Sequence, residues 1–101
     1  MIIRIDANGP RLDDAENFHS FKVVVEAAAG DREAIEKAVA GILQFEGDEH
    51  AWVAIGALEN WPGHGEDARF RASLQAMIVK AKPFGWIAED GRSIRAHIDW
   101  L

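Results

Sequence analysis

Hydrophobic and polar positions change their spacing several times along this chain, and each change predicts a different element. The clearest helical spacing lies in the C-terminal third, where five apolar residues recur every three or four positions: Phe70, Leu74, Met77, Ile78 and Ala81. This repeat puts them on one face of a helix. Glu66 and Asp67 precede it, where the helix dipole favours carboxylates, and Pro83 with Gly85 ends it. We therefore predict a helix over residues 66–82.

A second helical repeat follows Asp31, which is a suitable N-cap residue. Four apolar residues then occupy one helical face: Ile35, Ala38, Val39 and Ile42. Gly47 supplies a stop signal, because glycine is favoured just after the last turn of a helix. The spacing predicts a helix over residues 31–46.

Two short β-rich runs precede this helix. Residues 2–5 (Ile-Ile-Arg-Ile) are followed by an Asn-Gly-Pro turn at 8–10, and they predict a first strand. In residues 20–27 apolar side chains occupy every second position and three are valines, which are β-branched and stiff at χ1, so a second strand is predicted. The alternative is a helix continuing from Asp13, because apolar residues of this segment also share a helical face.

Residues 51–55 (Ala-Trp-Val-Ala-Ile) form a short apolar run that suits a buried strand. A short helix over residues 57–61 is expected next, and Pro62 with Gly63 would stop it. Periodicity alone does not separate helix from strand in so short a run, so this assignment depends on its flanking residues.

The last part of the chain is predicted to form a β-hairpin. If the Asp-Gly dipeptide at 90–91 is a two-residue type I′ turn, Ile87 faces Ile94 and Trp86 faces Arg95, where a cation–π contact would form. The inward-facing set is then Ile87, Ile94, Ala96, Ile98 and Trp100. The outward-facing set is Trp86, Ser93, Arg95, His97 and Asp99.

The order of these predicted elements resembles a winged-helix domain. Its helix, strand, short helix, helix and ribbon correspond to residues 31–46, 52–55, 57–61, 66–82 and 85–100. The fold class is accordingly α+β: a single domain over residues 1–101, in which residues 1–28 form an N-terminal β extension and residues 31–101 form the winged-helix-like part. The resemblance implies that the long helix is the one that enters the major groove in DNA-binding members.

Charge is distributed unevenly along the chain. The net charge is −6, but residues 1–63 hold five basic and twelve acidic side chains, whereas residues 64–101 hold six basic and five acidic ones. There is no cysteine, which is compatible with a reducing compartment. No apolar stretch approaches the roughly 18 residues that cross a bilayer, and no signal peptide is recognisable. We expect a cytoplasmic protein without a membrane partner.

Candidate chemistry is sparse. The four histidines are His19, His50, His64 and His97, and their spacing matches no compact pair of metal ligands. No serine lies in a Gly-x-Ser-x-Gly context, and no phosphate-binding glycine loop is complete. A small hydrolase or metal-dependent enzyme built around His50 and His64 is one hypothesis, but neither a cofactor nor a metal is predicted.

The face of the long helix opposite its core stripe bears on DNA binding. That face carries Ala68, Ala72, Ala76 and Val79. Small apolar side chains supply few groups that read base edges, so this face is more typical of close packing, within the chain or across a dimer. A DNA-binding regulator is the alternative function, and it would use Arg69, Arg71, Lys80, Lys82, Arg92 and Arg95.

Four tryptophans suggest where a partner would bind. We expect Trp52 and Trp100 in the core, whereas Trp61 precedes a Pro-Gly turn and Trp86 lies on the outer face of the hairpin. Exposed aromatic residues are favoured binding anchors. The predicted function is therefore non-catalytic binding of another protein, or self-association as a dimer. The predicted binding residues are Trp61, Trp86, Arg95 and His97.

Overall fold

A six-stranded mixed sheet with helices packed on one face forms the fold, and the computed structural model describes all 101 residues. The strands are β1 (Ile2–Asp6), β2 (Gly9–Asp13), β3 (Lys22–Val25), β4 (Leu43–Glu46), β5 (His50–Ala54) and β6 (Ser93–Trp100). The α-helices are α1 (Arg32–Ala38), α2 (Ile55–Glu59) and α3 (Ala68–Ala81), with 3-10 turns at Ala27–Ala29 and Lys82–Phe84. The predicted α+β class is confirmed. None of the helices combines the length and apolarity needed to cross a bilayer.

The spatial order of the sheet is β2-β1-β3-β6-β5-β4. β3 lies parallel to both β1 and β6, whereas the β1–β2, β5–β6 and β4–β5 pairs are antiparallel. The sequence does not predict strand β2, because Asn-Gly-Pro at its start is typical of a turn. Pro10 is tolerated there since β2 is an edge strand, whose outer side needs no backbone donor. The strand predicted over residues 20–27 is confirmed as β3, which excludes the alternative that a helix continues from Asp13 through residues 22–25.

Helix α1 begins as predicted, because the Asp31 side chain accepts the backbone N–H of Ala34 at 2.8 Å. Its predicted extension to residue 46 is wrong: the helix ends at Ala38, and β4 pairs antiparallel with β5. Leu43 and Phe45 both contact the core, and their spacing of two positions is that of residues on one face of a strand. Gly47 therefore serves the β4–β5 hairpin turn, with φ +65°, instead of a helix end.

The remaining helices lie close to their predicted positions. Helix α2 starts two residues earlier than expected, directly after β5. Helix α3 begins after Asp67, whose carboxylate accepts the N–H groups of Arg69 at 2.9 Å and Phe70 at 3.3 Å. Three of the predicted stripe residues are buried: Phe70, Leu74 and Ala81.

Strand β6 occupies the centre of the sheet, between β3 and β5, which the order of elements did not predict. The hairpin register is as expected, since Ile87 pairs with Ile94, but the first arm forms only this one bridge and is not a continuous strand. The predicted type I′ turn is wrong. Only Gly91 has a positive φ, and its N–H binds the carbonyl of Ala88 at 2.8 Å, so residues 89–92 form a longer loop.

One hydrophobic core lies between the sheet and the three helices, and its 19 buried residues include members of every strand except β2. Three tryptophan assignments are corrected by the structure, namely those of Trp61, Trp100 and Trp52. Trp61 is only 9% exposed and belongs to this core, whereas Trp100, predicted inside, is 41% exposed. Trp52 is half-buried on the other face, because the alternation along β5 turns Ala51 and Val53 toward the core.

The burial of Trp61 follows from the turn that begins at its own backbone. Its carbonyl accepts the N–H groups of His64 and Gly65, both at 2.9 Å, so the following turn folds back on α2. A β-carbon on Gly65 would lie 3.1 Å from the carbonyl oxygen of Glu59, a tight contact with the backbone, so the turn packs closely against the end of α2. The exposed residues of this turn therefore stand beside a buried indole.

Candidate functional site

A cavity of about 320 Å³ lies between the C-terminal end of α3 and strand β6; we call it the aromatic cleft. Its apolar walls include Phe21, Met77, Phe84, Trp86 and Ile94. Strand β3 pairs with β6 from His97 onward, and Trp86 accepts a backbone hydrogen bond from Arg95 at 2.8 Å. Ile94 and Ala96 face the core, whereas Arg95 and His97 lie on the opposite side of β6, so residues of both sheet faces line the cleft.

Two aromatic rings form the exposed wall of the cleft. Phe84 and Trp86 are stacked, with ring centroids 4.8 Å apart and an interplanar angle of 23°. Gly85 between them has φ +76°, a left-handed conformation that glycine adopts without strain and that turns the chain from α3 toward β6. The side chains are 67% and 47% exposed, although their size and apolarity favour burial.

The polar part of the cleft is entirely basic. Its titratable lining residues are His50, Lys80, Arg95 and His97, with no aspartate or glutamate among them. The His50 and His97 rings are 5.9 Å apart and nearly perpendicular. Lys80 forms no ion pair. In a chain whose net charge is −6, this is a local reversal of sign.

Arg95 is held in place by a carboxylate outside the cleft and by a histidine of its lining. Its Nη2 lies 2.9 Å from a carboxylate oxygen of Glu46 and 3.3 Å from Nδ1 of His50. Its Nε is buried and has no hydrogen-bond partner. A buried N–H without an acceptor costs free energy, because the hydrogen bond to water is lost on folding. The guanidinium therefore keeps one unmet donor at this wall.

Carboxylates beside the cleft are held in their ionised form. The Trp52 indole donates to Glu46 at 2.7 Å and, together with the charge of Arg95, lowers the pKa of that carboxyl. Lys22, at 3.1 Å, is the main cause of a lowered pKa at Asp99, to which His97 also contributes. These two acids partly balance Arg95 and His97, which leaves Lys80 as the unpaired cation of the lining.

The structure brings three of the four predicted binding residues together: Trp86, Arg95 and His97 all line the cleft. Trp61 is not among them, since it lies in the core. The indole of Trp86 stacks on Phe84, and not on the guanidinium of Arg95 as the hairpin register predicted. The cation–π contacts that form use Arg32, whose Cζ lies 4.7 Å from the Phe45 centroid and 5.2 Å from that of Trp100.

Sequence reasoning missed Phe84, Phe21 and His50 as members of this site. Phe84 gave only a weak signal: it lies directly after Pro83, beyond the predicted helix, although its spacing from Met77 and Ala81 continues the helical stripe. Phe21 gave no such signal, because its proximity to α3 depends on the parallel pairing of β3 with β6.

The six cations of the DNA-binding alternative do not form one surface. Arg71 pairs with Glu59 at 3.7 Å, and Arg95 with Glu46. Arg69 lines a different cavity, which it shares with Asp67 and the acidic Glu16. Lys80 lies in the aromatic cleft, whereas Lys82 and Arg92 are exposed outside it. The small apolar face of α3, predicted to be a contact surface, is exposed along its length: Ala68, Ala72, Ala76 and Val79.

The two histidines of the enzyme hypothesis lie in separate places. His50 lines the aromatic cleft, whereas His64 stacks against Phe70 with centroids 5.1 Å apart and lines the cavity that contains Arg69. Nowhere do three or more His, Asp or Glu side chains converge in a geometry suited to a metal ion. The structure therefore does not bring the two histidines into one site.

Comparison of the chain with protein-family models, with curated proteins and with solved structures gave no match. Function is therefore inferred from the geometry and charge of the cleft.

Proposed function

We propose that this protein is a non-catalytic protein-binding module and that the aromatic cleft receives a segment of its partner. The observation that carries the proposal is the stacked pair of Phe84 and Trp86, which stays largely exposed at the wall of an apolar cavity. Water contact with two aromatic rings is unfavourable, and covering them with a partner recovers that free energy. Tryptophan and arginine are also among the residues that contribute most to protein interfaces.

The size of the cleft supports a peptide anchor in preference to a large ligand. At about 320 Å³ it is near the lower end of the roughly 300–1,000 Å³ typical of small-molecule pockets. One or two bulky apolar side chains would fill the apolar part, while flanking residues of the partner contact Arg95 and His97.

The other functions have less support. DNA binding needs a contiguous basic surface, and the cations of α3 and β6 are partly paired with acids and directed to different places. An enzyme around His50 and His64 would need these residues in one site. The winged-helix resemblance stays a prediction that rests on the order of elements.

Peptide selection tests the proposal while the partner is still unidentified. Random peptides displayed on phage are selected on the immobilised wild-type protein, and recovered peptides are synthesised with a fluorescent label. Their binding is measured by anisotropy to the wild type and to Phe84→Ala, Trp86→Ala and Val79→Ala. Val79 is a matched control because it is 68% exposed, as Phe84 is 67% exposed, but it does not line the cleft.

We expect Phe84→Ala and Trp86→Ala to lose binding while far-UV circular dichroism is unchanged, and Val79→Ala to bind as the wild type does. If no recovered peptide depends on Phe84 or Trp86, the cleft is not a protein-binding site. Loss of the folded spectrum in Trp86→Ala would show instead that this indole supports the fold.

A further inference from the structure

The charges around the aromatic cleft point to the chemistry of its occupant. Resting on the proposed function, we infer that the partner is another protein that presents an acidic segment, in which an aspartate or glutamate follows or precedes a bulky apolar side chain. The apolar side chain enters the cleft beside Phe84 and Trp86. The carboxylate pairs with Lys80 at the rim.

Charge complementarity carries this inference. All four titratable residues of the lining are basic, although the chain as a whole has seventeen acidic and eleven basic side chains. An apolar segment without charge would leave Lys80 without a counterion, and a basic segment would be repelled by it. Complementary potentials across an interface favour the correct partner and disfavour partners of the same sign.

Lys80 is the cation most available to a partner. Arg95 and His97 already face Glu46 at 2.9 Å and Asp99 at 3.1 Å, whereas Lys80 is exposed and forms no ion pair within the protein. Lys80 and Phe84 are four residues apart, across the last turn of α3 and the 3-10 turn that follows it, and both line the cleft. A carboxylate next to the inserted side chain would therefore meet the ammonium group.

Arg95 also has a hydrogen-bond donor without an acceptor. Its buried Nε–H has no partner in the protein, so the guanidinium has hydrogen-bonding capacity that folding leaves unused. Because this N–H is buried, an acceptor of the partner reaches it only if the Arg95 side chain rearranges, and a charged acceptor would then form the stronger hydrogen bond.

The test compares peptides selected by three proteins: the wild type, Lys80→Glu and the matched control Lys82→Glu. Lys82 is also exposed at the same end of α3 but does not line the cleft. We expect wild-type selection to enrich peptides with an acidic residue close to an aromatic or aliphatic anchor. Lys80→Glu should weaken their binding by about fivefold or more, because a charge attraction becomes a repulsion. It should also reverse the selection toward basic peptides, whereas Lys82→Glu should select as the wild type does.

The failures of the two proposals are distinguishable. Peptides that depend on Phe84 but show no preference for acidic residues, and that bind Lys80→Glu unchanged, would overturn the acidic partner and leave the proposed function standing. An absence of Phe84-dependent peptides would overturn both. Sedimentation of the free protein provides a third outcome. A dimer that dissociates in Phe84→Ala would identify a second copy as the occupant and overturn the inferred acidic partner.

Discussion

The guanidinium of Arg95 lies 2.9 Å from the carboxylate of Glu46, although strand β5 separates the two residues in the sheet. Trp52 on the intervening strand donates its indole N–H to the same carboxylate at 2.7 Å. Three neighbouring strands are therefore linked through one acid on the open face of the sheet. The linkage fixes Arg95 beside the aromatic cleft and makes the charge of Glu46 relevant to both stability and binding.

Replacement of Glu46 by glutamine should reduce stability at neutral pH and lose its effect in acid. The hydrogen bond from Trp52 and the charge of Arg95 lower the folded-state pKa below the ordinary value of 4.5. The carboxylate therefore stabilises the fold at pH values above its unfolded pKa, and this contribution is lost as the pH falls through the folded pKa. Urea unfolding of wild type and Glu46→Gln, from about pH 7 to about pH 3, measures the difference.

Trp52→Phe provides the control for that experiment, because it removes the largest cause of the lowered pKa while keeping an aromatic side chain. In the Trp52→Phe protein, the difference in free energy of unfolding between Glu46 and Glu46→Gln should depend less on pH. If the difference in free energy of unfolding between the wild type and Glu46→Gln stays constant down to about pH 3, the Glu46 carboxylate does not stabilise the fold through a lowered pKa.

Alanine substitutions of Trp61 and Trp86 should have very different effects on stability. Trp61 is in the core, so its removal should cost about 3–5 kcal/mol. Trp86 is half exposed, and we expect its removal to cost about 1 kcal/mol or less. Urea unfolding followed by circular dichroism measures both values. Equal losses would show that the two indoles are buried to a similar degree.

Asp67→Ala should destabilise the protein by about 1 kcal/mol, because two N–H groups at the start of α3 lose their acceptor. Glu66→Ala is the matched control: it removes the neighbouring carboxylate, which caps no backbone group. Chemical denaturation gives both free energies of unfolding. Equal destabilisation by the two variants would assign the effect to the helix dipole and not to the cap.

Titration with random duplex DNA at low salt should leave the ¹⁵N–¹H NMR spectrum of the protein unchanged. The net charge of −6 opposes a polyanion, and Arg71 and Arg95 are already paired with Glu59 and Glu46. Shifts confined to residues 66–97 and reversed by added salt would instead favour the DNA-binding alternative, because phosphate contacts weaken steeply with salt.

Local signals in the sequence predicted the parts of the fold that depend on near neighbours. Asp31 caps α1 as expected, since the cap involves a backbone N–H only three residues away. Asp67 caps α3 in the same way, although the sequence assigned it only a favourable interaction with the helix dipole. The pairing of Ile87 with Ile94 was predicted from the Asp-Gly dipeptide at 90–91, even though the loop is longer than expected. Trp86, Arg95 and His97 were grouped for the same reason, because a short hairpin sets their relative positions.

Other features were decided by contacts between distant parts of the chain. Residues 43–46 fit a helical face and a strand equally well, and the antiparallel pairing with β5 made them a strand. Burial of the tryptophans was also decided by tertiary contacts: Trp61, which follows α2, packs into the core, whereas Trp52 lies on the sheet face opposite to that of Ala51 and Val53.

The sequence by itself therefore determined the α+β class, the N-cap of α1, the hairpin register and three residues of the cleft. Only the tertiary structure decided the order of the strands, the burial of Trp61 and the addition of Phe21, His50 and Lys80 to the cleft. The physical reason is the range of the interactions. Capping and turn formation act within a few residues, whereas strand pairing and core packing join segments far apart in the chain, which no local pattern of side chains records.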